Sequence, residues 1–196
     1  NPEQQLDEVS REVFRTRMEA ALRFLEDQVA VGRIRWYGTA TWNGYRVNPT
    51  ASDYLSLREL ADLAQRIGGA RHHFGILQLP YNLAMPEAFA FRNQPFNGAS
   101  VSLLEAAQHL NMSVVTSAGL LQTRLATLPR GVAEKIPGLT TDAQRALQFA
   151  RSTPGVTTAL VGMKQRCHVE ENLALAHQPT VSAEQLTRLF TKTTKP

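Results

Sequence analysis

Apolar residues follow two alternating periods along the chain. From Ser10 to Val31 they recur at Phe14, Met18, Ala21, Leu22, Leu25 and Val29, one face of a helix with Ser10 as N-cap and Gly32 as stop. Arg33 to Thr41 is short, aromatic and β-branched, which predicts a strand. The cycle then repeats three times. Leu57, Leu60, Leu63, Ala64 and Ile67 mark a helix closed by Gly68-Gly69, ahead of a strand from Phe74 to Leu79. Ser102 to Leu110 predicts a helix and Ser113 to Ser117 a strand; Asp142 to Arg151 a helix and Val156 to Val161 a strand. Two more helices follow, one near His168 to Ala176 and one from Ala183 to Phe190, the latter with a capping box in Ser182 and Gln185. Thr191 to Pro196 reads as a frayed tail.

Strands separated by helices pair in parallel through right-handed crossovers, so the fold class is α/β. No composition shift marks a linker, and residues 1–196 read as a single partial domain. Three long irregular stretches, Trp42 to Asp53, Pro80 to Ser100 and Gly119 to Thr140, each follow a strand. All lie at strand C-terminal ends, the rim where open α/β sheets and (βα)8 barrels carry their sites. Two architectures remain open: a self-contained doubly wound sheet, or four βα units of a barrel plus C-terminal helices, about half of a (βα)8 TIM barrel. The first strand lacks a following Gly-x-Gly-x-x-Gly, which weakens the doubly wound dinucleotide reading.

Composition narrows the classes. With 43% hydrophobic and 19% charged residues the chain is globular rather than disordered. No apolar run approaches the roughly 18 residues of a membrane span, so no membrane partner is expected. The net charge is +4, and the arginines are scattered rather than clustered, which disfavours nucleic acid. A single cysteine, Cys167, cannot form an internal disulfide and favours a reducing, cytoplasmic location. The chain opens Asn1-Pro2-Glu3 without Met, and upstream residues are therefore expected.

Each strand end offers polar or small side chains. They are Gly38-Thr39-Ala40-Thr41, Gln78-Leu79-Pro80-Tyr81-Asn82, Thr116 to Leu121, and Gly162-Met163-Lys164-Gln165-Arg166. The set lacks a carboxylate and suits a neutral or anionic ligand. After the fourth strand, Gly162 permits close backbone approach, Lys164 and Arg166 are cationic, and a helix starts near Cys167 or His168. That combination fits a phosphate, and equally a solvated basic loop. No His, Cys and carboxylate spacing reads as a metal site. Tyr37 and Tyr81 read as packing residues, and His72-His73 as solvated residues at the opposite rim.

Four stretches, in order, resemble the C-terminal half of the aldo/keto reductase family. "VGRIRWYGTATWN" (Val31 to Asn43) is similar to the family's "GKIRYIGVSNF", and "LQLPYNL" to "VQVEYNL". "VVTSAGLLQTRL" is similar to "VVAYSPLGRGLL", and "TPGVTTALVGMKQRCHVEENL" to its "pGV…aivG…eNL" ending. The resemblance implies strands five to eight of a (βα)8 barrel and an NADP(H)-dependent oxidoreductase reducing aldehydes or ketones to alcohols. NAD(H) is the alternative cofactor, and a non-catalytic nicotinamide-binding or interaction protein on the same scaffold the alternative function.

Carried over by position, the resemblance implies a cofactor site. Gln78 would bond the nicotinamide carboxamide, Thr41 would share that cluster, and Ser117 stands where an aromatic ring often stacks. Ala118, Gly119 and Leu120 would follow the pyrophosphate and ribose; Gly162, Met163 and Lys164 would lie under the adenosine phosphate. His168 replaces an Arg or Gln near the 2′-phosphate, and Glu171 and Asn172 would bond the adenine edge. The family's catalytic Asp, Tyr, Lys and His come from its first half, and "NPEQQL" begins just after the position of that His. No catalytic residue is therefore assigned here. The expected partners are a small carbonyl substrate and either a missing N-terminal half-barrel or a second copy; the chain alone is expected to be truncated and inactive.

Overall fold

The computed structural model describes residues 1–190; the frayed tail expected over Thr191 to Pro196 lies outside the described residues. A 3-10 turn, Pro2–Asp7, leads into α1 (Arg11–Ala30) and β1 (Tyr37–Ala40), then α2 (Leu57–Gly68) and β2 (Phe74–Pro80). A short α3 (Glu87–Ala90), a hairpin of β3 (Gln94–Phe96) and β4 (Ala99–Val101), α4 (Leu103–His109) and β5 (Ser113–Ser117) follow. α5 (Arg130–Ala133), α6 (Asp142–Ser152), β6 (Thr158–Ala159), α7 (Arg166–Leu173) and α8 (Ala183–Phe190) complete the described chain.

Short hydroxyl side chains set the main helix starts. Ser10 accepts from the Val13 N–H at 3.3 Å, and Ser56 from the Glu59 N–H at 3.3 Å. Ser102 with Glu105, and Thr141 with Gln144, form reciprocal capping boxes. The Ser182–Gln185 box expected ahead of α8 is present, at 3.1 and 3.2 Å.

The main sheet is parallel and four-stranded, in the order β1-β2-β5-β6. β1 and β2 pair with Gly38 opposite Ile76 and Ala40 opposite Gln78. β1, β2 and β5 each bury mainly one side of their pleat, whereas neither Thr158 nor Ala159 of β6 is buried. Tyr37 and Thr39 are buried while Gly38 and Ala40 are exposed; Leu77 and Leu79 are buried while Ile76 and Gln78 are half-exposed. In β5, Val114 and Thr116 are buried while Val115 and Ser117 are half-exposed. A doubly wound sheet covers both faces of its parallel strands. A complete barrel covers both faces as well; a parallel sheet with one face left half-exposed is a barrel wall without its other half, so the half-barrel architecture is the one adopted.

The chain divides into two compact units, Asn1–Leu79 with Glu87–Val115, and Pro80–Pro86 with Thr116–Pro196. In the first, buried Gln94 accepts from the Leu57 N–H at 2.9 Å and donates to the Leu55 carbonyl, fastening the hairpin to the start of α2. Buried Asn93 donates to the Tyr45 and Val47 carbonyls, which orders the loop after β1. In the second, Tyr81 stacks on Phe149 with ring centroids 5.2 Å apart, over a core of Ala146, Leu147 and Ala150.

Three sequence expectations need correction. The first strand is Tyr37–Ala40 rather than Arg33 to Thr41, because pairing starts where the Tyr37 N–H donates to the His73 carbonyl. The last strand is Thr158–Ala159 rather than Val156 to Val161. The stretches from Pro80 to Ser100 and from Gly119 to Thr140 are not wholly irregular, since the first carries α3 and the β3–β4 hairpin and the second carries α5.

Candidate functional site

In the second unit the loops after β5 and β6 meet around a cavity of about 280 Å³, lined by residues 118–123 and 160–162. Three of its lining residues, Ala118, Gly119 and Leu120, and a fourth, Gly162, are among those the sequence singled out. Between Gly119 and Gly162 the geometry differs. A Cβ on Gly119 would lie 3.1 Å from Leu147 and 3.4 Å from the Leu160 carbonyl, whereas one on Gly162 would meet nothing within 4 Å. Gly119 is thus a packing glycine, and Gly162 leaves its backbone open to a ligand.

The turn that lines the cavity is strained. Ala118, Leu121, Gln122 and Thr123 have φ of 56°, 45°, 51° and 72°, the left-handed region that side chains with a Cβ avoid. Backbone bonds hold it: the Leu121 N–H donates to the Ala118 carbonyl at 2.8 Å and the Leu125 N–H to that of Leu120 at 3.1 Å.

Beyond Gly162, Met163 and Lys164 are exposed, and α7 begins at Arg166. Gln165 makes no side-chain cap, and the first turn carries no acid, so the start of α7 presents positive dipole and N–H groups. Arg166 pairs with Glu170 at 2.7 Å, and the exposed Cys167 thiol lies 3.5 Å from Gln165 Oε1. His168 is exposed and Asn172 half-buried. Glu171 is already engaged: its carboxylate accepts from the Thr141 hydroxyl, and its carbonyl from Gln144 Nε2 at 2.9 Å.

Thr41 and Gln78 belong to the first unit. The Thr41 N–H donates to the Gln78 carbonyl at 2.8 Å. Thr41 is buried and its hydroxyl has no hydrogen-bond partner among the described residues, while the Gln78 side chain is half-exposed. Glu3, also buried, accepts from the Trp42 and Asn43 N–H groups at 2.6 and 3.0 Å and keeps its second oxygen unpartnered. It therefore fixes the exit of β1 from a position the sequence reading did not consider.

Tyr37 and Tyr81 are structural. The Tyr81 hydroxyl pairs with Thr153 at 3.0 Å, and the Tyr37 hydroxyl donates to Glu26 at 2.7 Å. Burial pushes both phenols above their ordinary range, and the Glu26 carboxylate raises Tyr37 further. His73 is not simply solvated. Its N–H donates to Glu26 Oε1 at 2.7 Å and its Nδ1 lies 2.9 Å from Oε2. Among the described residues no group of three His, Cys, Asp or Glu side chains could hold a metal.

Sequence reasoning placed Leu121 at the strand end but missed Gln122, Thr123, Leu160 and Val161 in the cavity wall. Val161 and Leu160 could have been found from their place beside Gly162. Nothing in Leu-Gln-Thr announces a left-handed turn.

No protein-family profile and no curated protein sequence matches the chain. Solved structures do. A thermostable aldo-keto reductase in complex with the inhibitor epalrestat aligns at a TM-score of 0.60 and 19% identity, over 88% of this chain and 53% of its own. An aldo/keto reductase from Klebsiella pneumoniae, solved with NADP and acetate, aligns at 0.59 and 23%, over 88% and 53%. The holo form of an aldo-keto reductase from Bacillus halodurans aligns at 0.56 and 17%, over 84% and 53%. The chain thus spans about half the length of the structures it matches, and its fold is that of part of an aldo-keto reductase barrel.

Proposed function

We propose that the chain carries the nucleotide-binding half of an NADP(H)-dependent oxidoreductase that reduces aldehydes or ketones. One observation carries this reading: Ala118, Gly119, Leu120 and Gly162, which the resemblance assigns to the cofactor, converge on one cavity walled by a strained turn. The cavity has room for part of a dinucleotide, and its open Gly162 backbone admits close approach. Lys164 would act as a point charge on a phosphate, and the start of α7 would add N–H donors. His168 is a weaker phosphate partner than Arg, so NADP(H) over NAD(H) is a preference rather than a requirement. In this reading Asn172 meets the adenine edge, Ser117 faces the nicotinamide side, and Met163 packs beside the phosphate. Glu171 would have to leave Thr141 to reach adenine.

For Thr41 and Gln78 the same reading assigns the carboxamide, with the unpartnered Thr41 hydroxyl as a polar atom still to be satisfied. Bound NADPH supplies a hydride; the proton must come from residues outside the chain, since Tyr37 and Tyr81 are engaged. The half-exposed sides of β1, β2 and β5 support an N-terminal half-barrel, or a second copy, as the partner. The engaged tyrosines also favour a second reading, nicotinamide binding without catalysis.

The test is fluorescence titration of the full-length protein with NADPH, followed by NADPH oxidation in the presence of a small aldehyde. Saturable binding with oxidation supports the reductase. Binding without oxidation supports the non-catalytic reading, and absence of binding by folded protein refutes both.

A further inference from the structure

The loop that leaves β2 reaches the strained turn through one side chain. Asn82 is fully buried. Its Nδ2 donates to the Ala118 carbonyl at 2.9 Å and its Oδ1 accepts from the Ala84 N–H at 2.9 Å, so both ends of the amide are committed. The Asn82 backbone is itself held, exchanging hydrogen bonds with Met85 at 3.3 and 3.0 Å, and the neighbouring Tyr81 N–H donates to the Ser117 carbonyl at 3.1 Å. Asn82 therefore cannot follow the turn; the turn must come to it.

The Ala118 carbonyl joins the two segments. It accepts from Asn82 and also from the Leu121 N–H, the bond that starts the left-handed turn. Ala118 itself sits at φ 56°, a conformation disfavoured about tenfold for an L residue with a Cβ. Ala118 and residues 119–123 then form most of the cavity wall. A single buried amide thus fixes the orientation of the first peptide of that wall.

We propose that Asn82 is a positioning residue for the nucleotide. It holds the Ala118 peptide in its left-handed conformation and so preforms the cavity wall, without touching the ligand. What the wall binds rests on the dinucleotide reading above; what holds the wall does not.

The test uses Asn82→Ala and the near-isosteric Asn82→Asp, which removes the donor to Ala118, in the full-length protein. Amide hydrogen exchange at Leu121, Arg124, Leu125 and Ala126 should speed up about five- to tenfold, with the amides of α6 unchanged. The NADPH dissociation constant should rise by a similar factor, and the KM for an aldehyde should stay constant. Ala118→Gly removes the Cβ penalty at the strained position, so in that background Asn82→Ala should cost less than about twofold. A general loss of packing would give the same NADPH penalty in both backgrounds. Unchanged exchange at the turn, or an equal penalty in both backgrounds, overturns the proposal. A wild-type protein that binds no NADPH overturns only the dinucleotide reading, because exchange at the turn still decides the role of Asn82.

Discussion

Removing the Glu26 carboxylate should cost about 2–4 kcal/mol. Glu26 Oε1 accepts from the Tyr37 hydroxyl and the His73 N–H, both at 2.7 Å, and Oε2 faces His73 Nδ1 at 2.9 Å. A Cβ on Gly68 would lie 2.9 Å from that carboxylate, so the helix end is shaped to admit it. Hydrogen bonds to a charged acceptor contribute about 1.5–3 kcal/mol each. The Glu26 and His73 side chains are 17% and 35% exposed, so water replaces part of the loss and the sum is discounted accordingly. For a chain of this size, about 2–4 °C of Tm per kcal/mol makes the fall in Glu26→Ala about 5–15 °C. A double-mutant cycle with Tyr37→Phe, read by urea unfolding, should show a coupling of about 1 kcal/mol. The pH dependence has a fixed sign. Burial works against ionised Glu26, but the bonds from the His73 backbone and ring and from Tyr37 outweigh it and hold the carboxyl below its ordinary range. A lowered carboxyl contributes stability above its unfolded value, about 4.3, and loses it as pH falls through the folded one. The advantage of wild type over Glu26→Gln should therefore be full at neutral pH and shrink on acidification below about pH 4. Additivity within about 0.3 kcal/mol, or an advantage that grows in acid, would refute the reasoning.

Other outcomes follow from single contacts. Gly162→Ala places a methyl where nothing lies within 4 Å, so Tm should hold within about 2 °C while NADPH affinity drops several-fold; a thermal melt and a titration separate the two. Lys164→Met should weaken NADPH binding and flatten its salt dependence, measured by titration across ionic strength. Glu3→Ala strands the Trp42 and Asn43 N–H groups, and about 2–3 kcal/mol should be lost on urea unfolding. Ser102→Ala removes one side of the capping box at α4, with a cost of about 1 kcal/mol in the same assay.

The long helices were legible because their apolar faces repeat at 3.6 residues and their caps sit in the adjacent residues. The strands were legible in kind but not in extent. Val156 to Val161 is rich in β-branched and apolar residues, yet the strand itself is only Thr158–Ala159, and pairing is set by the neighbour rather than by the run itself. The β3–β4 hairpin did carry a local signal, Asn97-Gly98, whose φ values of 49° and 82° are those of a tight hairpin turn; the strands on either side are too short to show alternation. In the site, residues 118–120 and 162 were readable from local sequence. The left-handed turn at Leu121 to Thr123 was not, because it is imposed by backbone bonds and not favoured by its side chains. The ties of Asn82 to Ala118 and of Glu171 to Thr141 join residues 36 and 30 positions apart, beyond the reach of any local pattern.

Hydrogen exchange of the full-length protein with and without NADPH tests the nucleotide site most directly. The account predicts new protection at residues 118–123 and 160–168, and none along the groove of about 480 Å³ lined by Phe14, Met18, Leu60 and Arg66. NADPH that saturates the protein yet leaves those two loops unprotected, or protects the groove between α1 and α2 in their place, would contradict it.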